Sequence, residues 1–470
     1  MDVELKKVVK EWVDAHKQEM LETLSEFVQC PSLLDESTAG PGKPYGQGCR
    51  DMLELLWRKA ESFGLNCKDV DGYCIEIRNK PESDNEIGIF NHGDVVAVLG
   101  DWVFPPFCGK IDGDFVLGRG AHDNKAGCVM TMFLLRMINE LGIELKHGIR
   151  MVVGFDEETE MRCVQYYAAH RKMPATSLVA DCIFPVNYGQ LGGLIGTLTA
   201  PMGDEVISMD SNEPGAYSVP DKAVCVVRFP YDVVAPLAEG IADVDVEADG
   251  ENTKITGHGI ATHTANPWLG KSAVLAMSNV LVKLPFKDAA TKHLIDGIYE
   301  FASDYYGAPL GIASEDESGK STAVLSYLGL KDGVLTIGCV NKACLSKPVE
   351  EFNATFEKWC DGYGIKISDS SEREKRTYFD PEDKRVKVLQ QVYHDMTGKN
   401  DPPYCMGGVT YSKYLPETIT YGIIRPFRKL DYIPEGTGDC HSPNEYMDIE
   451  IPMEGVQIYA QALVALDPIV

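Results

Sequence analysis

The stretch Gly118-Arg-Gly-Ala-His-Asp-Asn-Lys-Ala-Gly127 joins two runs of different character. The residues before it are typical of a strand and a turn. The apolar run after it, Val129 to Leu141, predicts a helix that ends at Gly142. Open α/β sheets place their chemistry at such strand-to-helix junctions. The stretch therefore predicts an α/β fold and a functional site close to Asp123, which lies in its middle.

Histidines and carboxylates recur beyond this stretch, and most of them follow an apolar run that is typical of a buried strand. Two imidazoles and several carboxylates at one edge of a sheet suit a pair of divalent metal ions, which bind nitrogen and oxygen ligands of this kind. With Asp123, the candidates are His92, Asp94, Glu157, Glu158, Asp181 and, far along the chain, His441.

Each candidate also has a plainer interpretation. Asp123 could cap the helix that follows it, because Asp is favoured at that position. Glu157 and Glu158 could be solvated charges on a loop. Asp181 could be a turn residue, and His441 an ordinary loop histidine. Only the order and spacing of the whole set favour a metal site over these alternatives.

His92 and Asp94 are two positions apart, so on an extended chain their side chains share a face. A carboxylate in that place can hold the imidazole in the tautomer that binds a metal. We therefore expect Asp94 to orient His92 rather than to bind the ion itself.

Composition narrows the class of protein. The 470 residues favour two domains, and the net charge of −27 argues against a nucleic-acid partner. The 14 cysteines form no C-x-x-C pair, which argues against a thiolate zinc knuckle or a thioredoxin-like site. The N-terminal residues lack the apolar core of a signal peptide, so we expect reduced thiols in a cytoplasmic protein. The uncharged stretch 182–203 is broken by prolines and glycines, so we predict loop and strand there and no association with a membrane.

The pattern of elements changes along the chain. Strands alternate with helices as far as about Asp181, which predicts a mostly parallel sheet. Alternating strands such as Ala223 to Phe229 then predict an α+β unit. We predict a catalytic domain formed by residues 1–188 and 386–470, interrupted by an inserted lid domain over 189–385.

Short motifs surround the candidate residues in one consistent order. They are His92-Gly-Asp94-Val-Val, Gly118-Arg-Gly-x-x-Asp-Asn-Lys-x-Gly127, Gly154-x-x-Glu-Glu-Thr159, Phe184-Pro-Val, Gly259-x-x-x-His263, Met396-Thr-Gly398, Gly407-Gly-Val-Thr-Tyr411 and His441-x-x-Asn-Glu445. Through them the chain resembles the ArgE/DapE/carnosinase family of di-zinc metallopeptidases and, within it, the PepV-like bacterial dipeptidases. The resemblance implies a zinc-peptidase-like catalytic domain.

The resemblance also implies a role for each position. Two Zn²⁺ ions per chain, with Mn²⁺ or Co²⁺ as alternatives, would share Asp123, whose peptide bond to Asn124 would be cis. Glu157 would be the general base, and His263 of the lid would stabilise the oxyanion. The ligands of one ion would be His92, Asp123 and Asp181, and those of the other Asp123, Glu158 and His441.

Three substrate-facing positions depart from the resemblance: the lid strand, Tyr217-Ser-Val-Pro220 and Gly407-Gly-Val-Thr-Tyr-Ser-Lys413. The first of them bears most directly on the substrate. Close relatives carry an arginine on a lid strand, where it clamps the substrate's carboxylate. The corresponding strand here, Leu335 to Ala343, has no arginine. Lys342 is the nearest cation, but an ammonium cannot reproduce the bidentate geometry of a guanidinium. Lys413 or Arg425 could take over the clamp, or the substrate could lack a C-terminal carboxylate.

Three functions remain open when the resemblance and this departure are considered together. The first is hydrolysis of a peptide bond in a dipeptide-like substrate by a water molecule that two zinc ions activate. The second is hydrolysis of another acylated amine, as in a deacylase or amidohydrolase. The third is a binding protein that has lost catalysis, which the intact Glu157 and metal ligands disfavour. The resemblance to PepV-like enzymes further implies a monomer.

Overall fold

The chain builds part of one unit, leaves it for a second unit, and returns to the first. The computed structural model describes residues 3–212, 217–369, 373–374 and 376–470. The first unit comprises Met1–Tyr188, Tyr378–Tyr404 and Val409–Val470, and the second comprises Gly189–Thr377 and Cys405–Gly408. The domain limits inferred from the sequence, 189 and 385, remain a prediction about where the catalytic and lid functions divide.

The first part of the chain alternates helices with short strands. Its elements are α1 (Val3–Ala15), α2 (Lys17–Val28), α3 (Gln47–Ser62), β1 (Asn66–Val70), β2 (Cys74–Arg78), β3 (Glu86–His92), β4 (Lys110–Asp112), β5 (Phe115–Leu117), α4 (Ala126–Glu140), β6 (Gly148–Gly154), α5 (Arg162–His170), β7 (Thr176–Val179), β8 (Cys182–Ile183) and β9 (Val186–Gln190).

The middle of the chain is richer in long strands. Its elements are β10 (Gly193–Pro201), β11 (Val206–Ser211), β12 (Lys222–Val227), α6 (Tyr231–Ala238), β13 (Val244–Asp249), β14 (Asn252–His258), α7 (Ala273–Leu281), α8 (Ala289–Ser303), β15 (Glu315–Asp316), β16 (Gly319–Lys320), β17 (Thr322–Lys331), β18 (Val334–Lys342), α9 (Val349–Gly362), β19 (Lys366–Asp369) and β20 (Arg373–Glu374).

The last part of the chain supplies two long helices and several short strands. Its elements are β21 (Thr377–Tyr378), α10 (Lys384–Thr397), β22 (Tyr404–Met406), β23 (Thr418–Tyr421), β24 (Ile423–Ile424), β25 (Tyr446–Asp448) and α11 (Glu450–Leu466).

The central sheet of the first unit is parallel in its middle and antiparallel towards its edges. Strand β3 runs parallel to β6 on one side and to β7 on the other, and β7 runs parallel to β23. Strands β1 and β2 continue the sheet beyond β6 in antiparallel pairs. The prediction of an α/β fold is therefore confirmed. The parallel strands in the middle of the sheet determine where the candidate site lies, because the carboxyl ends of parallel strands meet at one edge.

Strand β5, which precedes the Gly118–Gly127 stretch, does not belong to this central sheet. It pairs antiparallel with β4 and β25 in a separate three-stranded sheet. The stretch therefore follows a strand, as predicted, but this strand belongs to a separate sheet. Three apolar residues in a row are too short a signal to distinguish a strand of a central sheet from one of a peripheral sheet.

Helix α4 follows the stretch and is buried along most of its length, which is why its sequence is apolar on nearly every side. It begins at Ala126 and ends at Glu140, slightly earlier than predicted at both ends. In the N-terminal region, the hydrophobic periodicity over residues 4–30 predicts one amphipathic helix. The structure has two instead, because His16 separates α1 from α2.

The second unit is an antiparallel sheet covered by helices. The strands follow the order β13-β14-β12-β11-β17-β18-β10-β19, and each pairing between them is antiparallel. Its hydrophobic core, from Leu194 to Ile365, is separate from the core of the first unit. These features confirm the prediction of an α+β unit inserted into an α/β one.

Candidate metal centre

Three strands of the central sheet deliver site residues to the same edge. His92 is the last residue of β3, Asp181 comes two residues after β7, and Glu157 and Glu158 come shortly after β6. Because β3 is parallel to both neighbours, these three strand ends lie side by side. The sheet therefore collects carboxylates that are far apart in the chain.

One group of possible ligands forms around His92. Its Nε2 atom lies 2.9 Å from Asp123 Oδ1 and 3.6 Å from Asp181 Oδ2. Side-chain atoms of these three residues lie within 4.8 Å of one another, which is close enough for all three to bind one ion. All three side chains are largely buried, so an ion here would be shielded from water.

A second group shares Asp123 with the first. His441 Nε2 lies 3.2 Å from Asp123 Oδ2 and 3.0 Å from Glu158 Oε2. These three residues also present ligand atoms within 4.8 Å of one another. Asp123 thus directs one oxygen to each group, as a carboxylate that bridges two ions would. It makes no cap for helix α4, whose first residue is Ala126.

Asp94 lies beside His92 in the position that orients a ligand. The Nδ1 atom of His92 is 3.1 Å from the Asp94 carbonyl oxygen and 3.5 Å from its carboxylate, so Nδ1 can donate there and leave the Nε2 lone pair for a metal. Asp94 Oδ2 also accepts from the backbone N–H of Glu158 at 3.1 Å. Asp94 therefore positions residues of both ligand groups.

Two further residues hold the Asp123 segment, and the sequence alone did not identify their roles. Glu445 accepts from the backbone N–H groups of His122 and Asp123 and pairs with the buried Arg119 guanidinium at 2.5 Å. Asn124 donates to Asp181 Oδ1 at 2.8 Å, and the Asp123–Asn124 peptide bond is cis. Both residues belong to motifs quoted above, but only the tertiary contacts reveal what they position.

Gly127 allows the helix to begin close to the site. A Cβ atom there would lie 2.5 Å from Asn124 Oδ1 and 2.9 Å from the carbonyl oxygen of Ala180. Side chains do not approach so closely, so a larger residue would push the Asp181 loop away from Asp123. This explains why the stretch ends in glycine.

Burial and mutual repulsion set the protonation of the site. Burial raises the pKa of Glu157 well above its ordinary value and raises that of Asp181 to about 7. For His92 and His441, burial acts to lower the pKa, but the neighbouring carboxylates outweigh it and raise the pKa of both rings. Divalent cations would relieve this accumulation of buried negative charge.

Unpartnered oxygen atoms also fit a metal. Among the described residues, Glu157 Oε1, Glu158 Oε1 and Asp94 Oδ1 are buried and have no hydrogen-bond partner. Buried polar atoms are rarely left unsatisfied unless a water, ion or substrate completes them. Together with imidazole nitrogens at ligand spacing, these atoms suit borderline divalent ions such as zinc.

His263 lies in the second unit, on the loop after β14. Its backbone pairs with that of Ser218, and its Nδ1 atom accepts from the backbone N–H of Ala265 at 3.1 Å. In the neutral ring the proton must then be on Nε2. His263 is therefore held in the tautomer that presents Nε2–H as a donor.

The three cations considered for a carboxylate clamp have different surroundings. Arg425 forms an ion pair with Glu454 in the first unit. Lys413 lies over the ring of Tyr414, 5.0 Å from its centre. Lys342 is buried at the end of β18 in the second unit, 3% exposed. The Arg425 guanidinium is therefore already paired with a carboxylate.

A profile described as "Peptidase family M20/M25/M40" matches residues 88–465. The curated relatives include "Putative dipeptidase YtjP" of Bacillus subtilis, which is 27% identical over 96% of this chain and 97% of its own length. The profile spans every ligand position and most of the chain. The chain belongs to this family and is a metal-dependent peptidase.

Solved structures share the fold. Human carnosine dipeptidase 1 aligns over 99% of both chains with a TM-score of 0.59 and 13% identity. The dipeptidase Dug1p of Saccharomyces cerevisiae aligns over 98% of both chains with a TM-score of 0.58 and 12% identity. At such low identity these similarities establish the architecture alone. In the described part of the chain, no helix is long and apolar enough to cross a bilayer.

Proposed function

We propose that this chain, a member of peptidase family M20/M25/M40, cleaves the amide bond of dipeptide-like substrates with two zinc ions. The observation that carries the proposal is the pair of ligand groups that share Asp123, with the buried Glu157 beside them. The dipeptidase named among its relatives supports a small peptide as the substrate.

Each residue has a chemical task in this proposal. His92, Asp123 and Asp181 hold one ion, and Asp123, Glu158 and His441 hold the other. When bound, the two ions polarise the scissile carbonyl and make water acidic enough to be deprotonated near neutral pH. Asp94 keeps His92 in its ligand tautomer.

Glu157 is the proposed general base. Its carboxylate takes a proton from the attacking water and passes it to the leaving nitrogen, so the amine departs neutral. Burial raises the pKa of Glu157 above that of an exposed glutamate, which makes its carboxylate a stronger base for this proton transfer. The ring of His263 donates from Nε2 to the oxyanion. A contact of this type contributes about 3 kcal/mol to transition-state stability.

A deacylase or amidohydrolase is the second candidate. The specific observation that favours it is the absence of an arginine on β18 together with the pairing of Arg425 with Glu454. A substrate without a C-terminal carboxylate needs no guanidinium clamp. If the substrate has one, Lys413 or Arg425 would have to bind it.

The setting of the enzyme is also proposed. All 14 cysteines are free thiols, which supports a reducing compartment such as the cytoplasm. We expect a monomer, as the resemblance to PepV-like enzymes implies. Sedimentation at several protein concentrations tests this, and a concentration-dependent dimer would refute it.

The deciding experiment measures metal content together with hydrolysis of three substrate sets: free dipeptides, C-terminally blocked dipeptides and N-acylated amino acids. Two zinc ions per chain with preference for free dipeptides support the first candidate. Preference for blocked or acylated substrates supports the second. Two ions with no turnover of any set would indicate the binding protein that has lost catalysis.

A further inference from the structure

A third group of potential ligands lies beside the pair already described. His122, Asp439 and Cys440 present a ring nitrogen, a carboxylate oxygen and a thiol sulfur within 4.8 Å of one another. None of the three belongs to the two groups around Asp123. Two of them, His122 and Cys440, are the immediate chain neighbours of Asp123 and His441.

The side chain of His122 points into this group without a conventional partner. It is 3% exposed and packs edge-on against Phe427, with ring centres 5.5 Å apart. Its Nδ1 atom is 3.1 Å from Asp439 Oδ1, yet neither ring nitrogen has a hydrogen-bond partner of acceptable geometry in the described residues. A buried imidazole in this condition requires an explanation.

The geometry is the one expected of two ligands on one ion. When two atoms bind the same tetrahedral ion at about 2.0–2.2 Å, they lie roughly 3.3 Å apart, and the ion, not the second ligand, lies on the axis of the nitrogen lone pair. The distance between His122 Nδ1 and Asp439 Oδ1 fits, and it resembles the 2.9–3.6 Å spacings within the two groups around Asp123.

We propose that His122, Asp439 and Cys440 form a third metal site, for a single zinc-like divalent cation. Imidazole, carboxylate and thiolate are ligands that Zn²⁺, Co²⁺ and Cd²⁺ accept, whereas a thiolate disfavours Mg²⁺ and Ca²⁺. Binding replaces the S–H bond of Cys440 with a sulfur–metal bond and releases one proton to solvent. The cation keeps its charge, so no electron is transferred.

The site is open to solvent on one side. The side chain of Asp439 is 75% exposed, while His122 closes the inner side. Three protein ligands leave the fourth tetrahedral position to water, which is typical of exchangeable rather than structural zinc. The third ion should therefore bind more weakly than the buried pair and should exchange with the medium.

The thiol gives this site a signal that the pair cannot produce, because neither group around Asp123 contains a cysteine. The enzyme loaded with its two ions is titrated with Cd²⁺, and the ultraviolet absorption of thiolate-to-cadmium charge transfer is recorded. We expect one further equivalent to saturate this band. Cadmium that displaces an ion of the pair adds nothing to the band.

Three variants assign the band to this group. Cys440→Ser should abolish it, and Asp439→Asn should weaken the affinity about tenfold or more. Cys108→Ser is the matched control, since Cys108 is also a partly exposed thiol of the first unit, and it should leave the band unchanged.

The proposal is overturned if wild type gives no band, if the band survives Cys440→Ser, or if Asp439→Asn binds Cd²⁺ as wild type does. If Cys440→Ser also loses the two ions bound around Asp123, the Asp439→Asn variant alone tests the proposal. The side chain of Asp439 is exposed, so this change does not disturb the core. Metal content measured on each variant separates loss of this site from loss of the pair.

Discussion

At the level of single residues, the site depends on how the two oxygens of Asp123 are divided between two histidines. Oδ1 faces His92 and Oδ2 faces His441. The backbone hydrogen bonds to Glu445 fix the segment that carries this carboxylate. If Asp123 only capped a helix, Asn or Ser could replace it. A carboxylate that binds two ions cannot be replaced in this way, because neither residue supplies two charged oxygens.

Glu157 gives the first prediction. Glu157→Gln keeps the shape of the side chain and removes the base, so kcat should fall by about 10²–10⁴ while both ions stay bound. Steady-state kinetics and metal analysis of the same preparation check this. Glu160→Gln, an exposed change on the same loop, is the control and should retain full activity. Wild-type kcat in Glu157→Gln would remove Glu157 from the mechanism.

Metal affinity should depend on pH. The raised pKa of His92 and His441, and that of Asp181 at about 7, mean that protons compete for these ligands in the metal-free protein. Asp181 takes up its proton as the pH falls through about 7, so metal affinity should decrease between roughly pH 8 and pH 6. The raised pKa of the two histidines extends proton competition to higher pH. Calorimetric titration in two buffers should also detect proton release. Affinity that is constant across this range would contradict the assignment.

At the level of elements, parallel strands and their connecting loops place the chemistry. Strands β3, β6 and β7 end at one edge and bring His92, Glu157, Glu158 and Asp181 together. The alternation of strands and helices in the sequence was enough to predict this edge. The place of β5 was not predictable, because pairing with β4 and β25 depends on a partner more than three hundred residues away.

The loop after β14 gives the next prediction. His263→Ala removes the Nε2–H donor, so kcat should fall roughly 10²–10³-fold, with metal content and thermal stability unchanged. His258→Ala is the matched control, since His258 ends the same strand, is exposed and contacts Asp245. Equal losses in both variants would show that the loop, and not the donor, was damaged.

A buried ion network of Glu76, Arg78, Glu86 and Arg150 ties β2, β3 and β6 together. Glu76 is fully buried and accepts from Arg78, Arg171 and Tyr167. Glu76→Gln should lower the free energy of unfolding by about 3 kcal/mol, because it leaves buried guanidinium groups without a full counter-charge. Glu82→Gln, a half-exposed partner of Arg171, should cost under about 1 kcal/mol. Denaturant unfolding of both variants measures the difference, and similar losses would contradict the argument.

At the level of the whole molecule, each unit has its own core, and the site described around Asp123 draws its residues from the two ends of the first unit. His441 and Glu445 lie more than 250 residues after Asp181 in the chain, beyond the inserted unit. Ions at Asp123 would therefore connect two distant parts of the first unit.

Removal of the ions should destabilise the first unit selectively. Ligands that bind only the folded state stabilise it by about 2.7 kcal/mol when their concentration is 100 times Kd. Chelation should therefore lower the temperature of one calorimetric transition by several degrees and leave the other unchanged. Asp123→Ala is the control, because without the shared ligand chelation should have little effect. A chelator that shifts neither transition in wild type would contradict the proposed site.

The sequence by itself determined the fold class, the inserted unit and the candidate ligands, because period, turn residues and motif spacing are local properties of the chain. Only the tertiary structure decided what those residues touch. In it, Glu445 accepts a hydrogen bond from the backbone N–H of Asp123, Asn124 donates one to Asp181, and the ring of His122 lies close to the carboxylate of Asp439. Such contacts join residues distant in sequence, and their energies depend on burial and direction, which arise only when the chain is folded.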